Sequence, residues 1–396
     1  MKYIVLVPDG MADEPVEQLG GKTPLEVAST PNMDYVVQNG LLAQARTIPA
    51  HLAPASDVAN LSIMGYDPQK YYSGRAPLEA AYMDVDLSGD DVAFRCNLVT
   101  ISDDRMIDYS ADHISSQEAS VLVQDLNKHL GSETIKFYAG VSYRHLLVLT
   151  GFPAEDLIHC ICVPPHDILN EPIKKHLPKG KGARILVELM EKSKNFLSLH
   201  EINKVRLDLN ESPANMIWLW GQGQKPAMPT FKEKFGLSGA VISAVDLVKG
   251  IGKIIGLDVI NVEGATGYYD TNYLGKAEAG IEALKSRDFV FIHVEAPDEA
   301  GHNGDLRMKI TTIERFDNMV VGPILEHFKN RDDFRLMVLP DHATPVHLRR
   351  HTADKICVAM MGRGIAKNGF TAFSEAEGQK SDVFFEGHQL MDVLLR

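Results

Sequence analysis

Three short apolar runs in this chain each end in an aspartate, and two of those aspartates travel with histidines. Tyr3-Ile4-Val5-Leu6-Val7 leads into Pro8-Asp9-Gly10. The run Phe289–Val294 leads into Glu295-Ala296-Pro297-Asp298, with His302 four residues on. Leu336-Met337-Val338-Leu339 leads into Pro340-Asp341-His342, and His351 follows. Hard carboxylates and borderline imidazoles gathered at strand ends suit a pair of divalent cations such as Mn²⁺, Zn²⁺ or Mg²⁺. If Asp298 to His302 forms a helical turn, its i,i+4 spacing lets both side chains share one ion; a helix start with Asp298 near the cap is the plain alternative. Asp341 and His342 converge only if the chain turns at the strand end. His351 alone reads as a structural histidine. The combination points to two sites of mixed O/N ligation, an arrangement that stabilises both oxygens of an in-line phosphoryl displacement.

A nucleophile is then expected nearby. In Pro54-Ala55-Ser56-Asp57-Val58-Ala59-Asn60-Leu61-Ser62, a Pro-Ala break precedes an apolar helical pattern and puts Ser56 at a helix N-terminus. An N-cap role is the competing reading. In the functional one, the helix dipole and a cation lower the hydroxyl's pKa and stabilise a phosphoryl group delivered to it.

The elements that must position these residues are Val- and Ile-rich runs alternating with helical patterns. Strands are expected at 3–7, 92–99, 143–150, 158–163, 215–220, 239–243, 289–295, 334–339 and 355–361. Helices are expected at 24–39, 57–64, 116–130, 182–193, 244–255, 272–285, 306–329 and 386–395. The alternation predicts an α/β fold, a mostly parallel sheet covered by helices on both faces. Ligands of such sheets gather outside the carboxyl ends of the strands, where Asp9, Asp298 and Asp341 fall. The stretch 89–171 reads instead as a smaller inserted α+β domain, leaving 1–88 and 172–396 as the core domain. A length of 396 residues accommodates two domains.

A net charge of −13, with no compensating basic patch, argues against nucleic-acid and anionic-membrane partners. No apolar run reaches the roughly 20 residues of a membrane span, and Pro8-Asp9 interrupts the first run too early for a signal peptide. Cys96, Cys160, Cys162 and Cys357 read as free thiols in a reducing cytoplasm; Cys160 and Cys162 would share one face of a strand. Gly250-Ile251-Gly252 through Gly256 carries one residue too many for a dinucleotide fingerprint and follows a helical pattern, so it is rejected.

The assembled motifs resemble the archaeal type of cofactor-independent phosphoglycerate mutase, within the alkaline phosphatase superfamily. The resemblance runs through Pro8-Asp9-Gly10, Ser56 to Asn60, Gly65-Tyr66-Asp67-Pro68, Tyr71 to Arg75, Ala93 to Asn97 and Gly140 to His145. It continues through Gly264 to Tyr268, Asp270 to Tyr273, Asp298 to His302 and Asp341-His342. It implies an alkaline-phosphatase-like core, one ion bound by Asp9, Ser56, Asp341 and His342, and a second bound by Asp298, His302 and His351. Two divalent ions are expected, Mn²⁺ first and Zn²⁺ or Mg²⁺ as alternatives, with no nucleotide and no bisphosphoglycerate.

The implied reaction interconverts 3-phosphoglycerate and 2-phosphoglycerate through a phosphoserine at Ser56, the inserted domain closing over the site. The partner is thus a small phosphorylated hydroxy acid; oligomeric state is left open, a homo-oligomer among the options. Arg144, Arg95 and Lys276, with His166 and Asp167 near the second linker, are the candidate substrate contacts. Two residues depart from the family pattern: Ala55 replaces a usual glycine, and Asp112 in Ala111-Asp112-His113 replaces another. A homoserine kinase-like phosphotransferase, or a phosphomonoesterase using the same ions, is the alternative reading. A non-catalytic scaffold is the alternative of a different class.

Overall fold

The computed structural model describes residues 1–396, which form two compact units: Met1–Tyr72 with Met228–Arg396, and Ser73–Ala227. Strands are β1 (Lys2–Pro8), β2 (Gly40–Arg46), β3 (Val92–Ser102), β4 (Arg105–Asp108), β5 (Ile135–Tyr138) and β6 (Arg144–Leu149). They continue as β7 (Met216–Gly223), β8 (Gly239–Ile242), β9 (Asp258–Ile260), β10 (Phe289–Val294), β11 (Phe334–Val338), β12 (Ile356–Gly362) and β13 (Phe384–Glu386).

In the first unit, eight strands run in the order β13-β2-β12-β11-β1-β10-β8-β9. Only the pairings of β12 with its two neighbours are antiparallel; the other five are parallel. β1 lies between β10 and β11, with Pro8 opposite Val294 and Leu6 opposite Val338. Three parallel strands in that register must end on one edge, which carries Asp9, the start of the 296–303 helix and Asp341 together. Both faces are covered. Ile4, Leu6, Val290, Ile292, Leu336 and Val338 pack with helices Pro31–Gln38, Tyr273–Ala283 and Leu306–Phe316, while the alternate residues Val5, Phe291 and Met337 are also fully buried. Burial on both faces explains why these runs lack polar alternation.

Local chemistry breaks two expected helices. The 24–39 pattern splits into Pro24–Val27 and Pro31–Gln38, because Pro31 drives Thr30 out of the helical region. The 306–329 pattern changes to a wider turn at Asp317–Val321, where Pro323 has no N–H to continue the ladder. The strand expected at 158–163 does not form: helix Ala154–Ile158 reaches into it, and only Ile161 bridges, to Lys179. Strand β2, with no β-branched or aromatic residue, carried too weak a pattern to read and forms by pairing with β12.

The second unit holds an antiparallel sheet in which β3 pairs with β6, β7 and β4, and β6 with β5. Helices Ser116–Leu130 and Ala183–Leu197 bury Leu122, Leu126, Leu186 and Met190 in its core with Phe94, Leu98, Trp218 and Leu219. The boundaries read from sequence, 89 and 171, therefore lie inside this unit. Periodicity identifies a strand at 215–220 but not its sheet; β7 pairs along Ala93–Val99, and Ala76 and Ala80 pack against Ala93. The α/β class, with a mostly parallel sheet and a smaller α+β unit, is as expected. No helix is long and apolar enough to cross a membrane, and all four cysteines are free.

Candidate active site

The edge formed by β1, β10 and β11 carries the carboxylates and imidazoles. Asp9 follows β1 in a turn closed by Gly10 at φ 58°; a side chain on Gly10 would collide with the Asp298 carboxylate. Helix Ala296–Asn303 starts directly after β10 and brings Asp298 Oδ2 to 3.2 Å from His302 Nε2, as the i,i+4 spacing predicts. Gly301 lets this helix lie against the Thr344 backbone, where any Cβ would meet the carbonyl oxygen.

Two groups of ligand-type atoms result, each within 4.8 Å: Asp9, His293 and Asp341, and Asp298, His342 and His351. His342 Nε2 lies 3.3 Å from Asp9 Oδ1 and 3.6 Å from Asp341 Oδ2, so it faces both groups. His351 Nε2 is 3.5 Å from Asp298 Oδ1 and 2.8 Å from His302 Nε2, and its ring stacks on His342 at 4.0 Å. Six of the seven residues expected from the sequence are thus brought together, His351 included.

Ser56 is the first residue of helix Ser56–Ile63, but it does not cap it; Ala55 holds the cap position in extended backbone. The Ser56 Oγ lies 3.0 Å from His342 Nε2 instead. The tautomer follows from the network. Thr344 Oγ1 donates to Asp298 Oδ1 at 2.5 Å, so it accepts from His342 Nδ1 at 3.2 Å. That leaves a lone pair on Nε2 aimed at Ser56. Burial holds the His342 imidazole below its usual range.

The surroundings hold these groups from several sides. Asp341 Oδ1 accepts from Gly10 N and His342 N, both at 2.9 Å, and Oδ2 accepts from Asn60 Nδ2 at 2.8 Å. Lys309, fully buried, donates to Gly10 O at 2.5 Å and Thr344 O at 3.0 Å, 3.7 Å from Asp13. Burial, then Asp341, Asp298 and Glu295, push the Asp9 carboxyl well up. Burial acts the same way on Asp298, but hydrogen bonds from His302 and His351 outweigh it and hold that carboxyl well down.

The proposed substrate contacts are divided. Lys276 has no exposed surface; its ammonium donates to His293 O at 3.1 Å, and burial lowers it to about 8. It supports β10 from within. In the second unit, Arg95 Nε donates to Glu79 Oε2 at 3.0 Å with its guanidinium 4.3 Å over Trp220, and His166 packs edge-on to Trp220 and Tyr109. Asp167 Oδ1 is 3.8 Å from His166 Nε2. Arg144 is exposed, its guanidinium 5.8 Å from the Tyr143 ring. Arg75, 3.6 Å from Glu79, joins this cluster and was not singled out by its sequence context.

Also missed were His293, Asn60, Thr344 and Lys309. For His293 a signal existed: an imidazole inside a run otherwise apolar on both faces requires a buried partner.

Fold and site define an α/β protein with a paired carboxylate–imidazole centre and a helix-borne serine hydroxyl beside it. The sequence model of the family described as 2,3-bisphosphoglycerate-independent phosphoglycerate mutase matches residues 38–203. A relative of that name from Methanosarcina barkeri is 54% identical over 401 residues, covering 100% of both chains. A Geobacter sulfurreducens relative named as a probable enzyme of that kind is 49% identical, again over 100% of both. Among solved structures, a Pyrococcus horikoshii protein matches with a TM-score of 0.85 and 32% identity, over 100% of this chain and 96% of that one. A cofactor-independent phosphoglycerate mutase from Thermoplasma acidophilum matches with a TM-score of 0.67 and 25% identity, over 100% and 99%. The chain belongs to the 2,3-bisphosphoglycerate-independent phosphoglycerate mutase family.

Proposed function

We propose that this protein interconverts 3-phosphoglycerate and 2-phosphoglycerate by metal-dependent phosphoryl transfer, with Ser56 as transient acceptor. The observation that carries the reading is the 3.0 Å contact between Ser56 Oγ and the lone-pair nitrogen of His342, beside two groups of carboxylates and imidazoles. Family membership supplies the substrate. A kinase or phosphatase reading has no observation of its own here.

The donor set fits divalent cations. Three carboxylates converge in a buried edge, and Asp9 Oδ1 and His293 Nε2 are buried there without hydrogen-bond partners. Asp9, Ser56, Asp341 and His342 would hold one ion, and Asp298, His302 and His351 the other, with Mn²⁺ favoured by the mixed O/N set. Bound ions would offset the roughly two negative charges of the phosphate and lower the pKa of the serine hydroxyl. The protein's own part is positional. The helix start presents the Ser56 hydroxyl 3.0 Å from His342 Nε2, close enough for both to reach one ion, and Asn60 fixes the helix to Asp341. Ser56 takes the phosphoryl group from one hydroxyl of glycerate and returns it to the other. The cationic cluster of Arg75, Arg95, Arg144 and His166 matches an anionic substrate in chemistry.

Phosphorus NMR on 3-phosphoglycerate with protein and Mn²⁺, without nucleotide or bisphosphoglycerate, tests this. The 2-phosphoglycerate resonance is expected to grow to an equilibrium mixture. Inorganic phosphate as the main product, or no turnover, would overturn the proposal.

A further inference from the structure

His293 stands inside the central sheet with no exposed surface, paired in register with Val7. A buried imidazole is costly unless both ring nitrogens find partners. Nδ1 lies 3.3 Å from Ser243 Oγ, a hydroxyl that also accepts from Val245 N at 2.9 Å. Nε2 lies 3.1 Å from Asp9 Oδ2, yet no hydrogen bond reaches it, nor Asp9 Oδ1. Two lone-pair atoms that approach without hydrogen-bond geometry are placed as neighbouring ligands of one ion are. Donors about 2.0–2.2 Å from an ion, in tetrahedral or octahedral positions, lie roughly 3–3.5 Å from each other. Asp341 completes the group, each of the three offering one atom within 4.8 Å of the others.

We infer that His293 is a direct ligand, through Nε2, of the cation held by Asp9 and Asp341, with Nδ1–H donated to Ser243. The inference rests on the two-ion reading proposed above and adds to the nucleophile's ion a donor that none of the other strand ends supplies. Two consequences follow. The ion beside Ser56 has two imidazoles as well as two carboxylates, which shifts preference from Mg²⁺ toward Mn²⁺ and Zn²⁺. Ser243 becomes a positioning residue that fixes the ring's tautomer.

Crystals of the Mn²⁺-loaded protein, measured at the manganese absorption edge, locate the ions without any substitution. An anomalous peak about 2.0–2.3 Å from His293 Nε2 is expected. Ions present, but all more than 3 Å from that atom, overturn the inference and leave the mutase reading intact. No bound ion at all overturns both. X-ray absorption of the Mn²⁺ form then compares the wild type with His293→Gln. One imidazole per two ions is expected to disappear while both ions stay bound; an unchanged imidazole count overturns the assignment. If that variant does not fold, the wild-type crystal decides alone.

Discussion

Asn60 donates one amide nitrogen to both Asp341 Oδ2 and the Ser56 carbonyl, each at 2.8 Å. These residues come from a helix and a strand end about 281 positions apart in sequence. The bond therefore fixes the helix that carries the hydroxyl against the strand end that carries its neighbours. Asn60→Ala should lower kcat about 10–100-fold with little change in KM, the pattern of a supporting hydrogen bond lost around intact ligands. Steady-state turnover with a thermal melt checks this; a raised KM at unchanged kcat would contradict the positional role.

Ser56→Ala removes the acceptor hydroxyl without removing a cap, since Ala55 occupies the cap position. Turnover is expected to fall by about 10⁴-fold or more with the melting temperature near wild type. Mass spectrometry of the wild type quenched during turnover should show phosphate on the Ser56 peptide. Retained activity in the variant would end the phosphoserine mechanism.

Asp9, Asp298 and Asp341 are all buried at one sheet edge, where burial and the neighbouring carboxylates push Asp9 well up. Chelation should abolish turnover, and the melting temperature should rise with the logarithm of Mn²⁺ concentration. A site at one hundred times its Kd adds about 2.7 kcal/mol. A melting temperature indifferent to Mn²⁺ would count against a cation at this edge.

Lys309 is enclosed with Asp13 and two carbonyl acceptors, all three within 3.7 Å. Lys309→Met leaves the buried Asp13 carboxylate without its counter-charge and the Gly10 turn without its donor. A loss of about 3–5 kcal/mol is expected, as for other broken buried pairs. Denaturant unfolding measures it, and a loss below 1 kcal/mol would show that the pair is not coupled to the fold.

Both tryptophans, Trp218 and Trp220, lie on β7, so intrinsic fluorescence follows the second unit alone. In that unit His145 is buried, with Nδ1 accepting from Gly140 N at 3.0 Å, and burial lowers it to about 3. Its folded pKa lies below the unfolded value, so its contribution is complete above about pH 6.5 and is lost as pH falls toward 3. At pH 5 the loss should be about 2 kcal/mol. Tryptophan-monitored unfolding between pH 7 and 5 checks the slope, which His145→Gln should flatten; equal slopes would exclude this group.

Much of the centre was legible because it is local. Asp298 and His302 are one helical turn apart, so the helix there brings them together, and Asp341 and His342 are adjacent and converge because the chain turns after β11. Asp9, Asp298 and Asp341 follow apolar runs whose burial on both faces implies a parallel sheet, and parallel strands share an edge. The second unit's extent was not legible, because hydrophobic pattern identifies β7 as a strand without saying that β3, more than a hundred residues earlier, is its neighbour.

The sequence by itself determined which ligand-type side chains exist and that three strand ends would carry them, since strand and helix periodicity are local properties of the chain. Only the tertiary structure decided which of them meet. The order β11-β1-β10 sets Asp9 between the other two, helix Ser56–Ile63 brings its hydroxyl to His342, and His293 turns its ring toward Asp9. Those contacts span some 280 residues, and no local pattern encodes strand order. It follows from which packing buries the most apolar surface while leaving each buried polar group a partner.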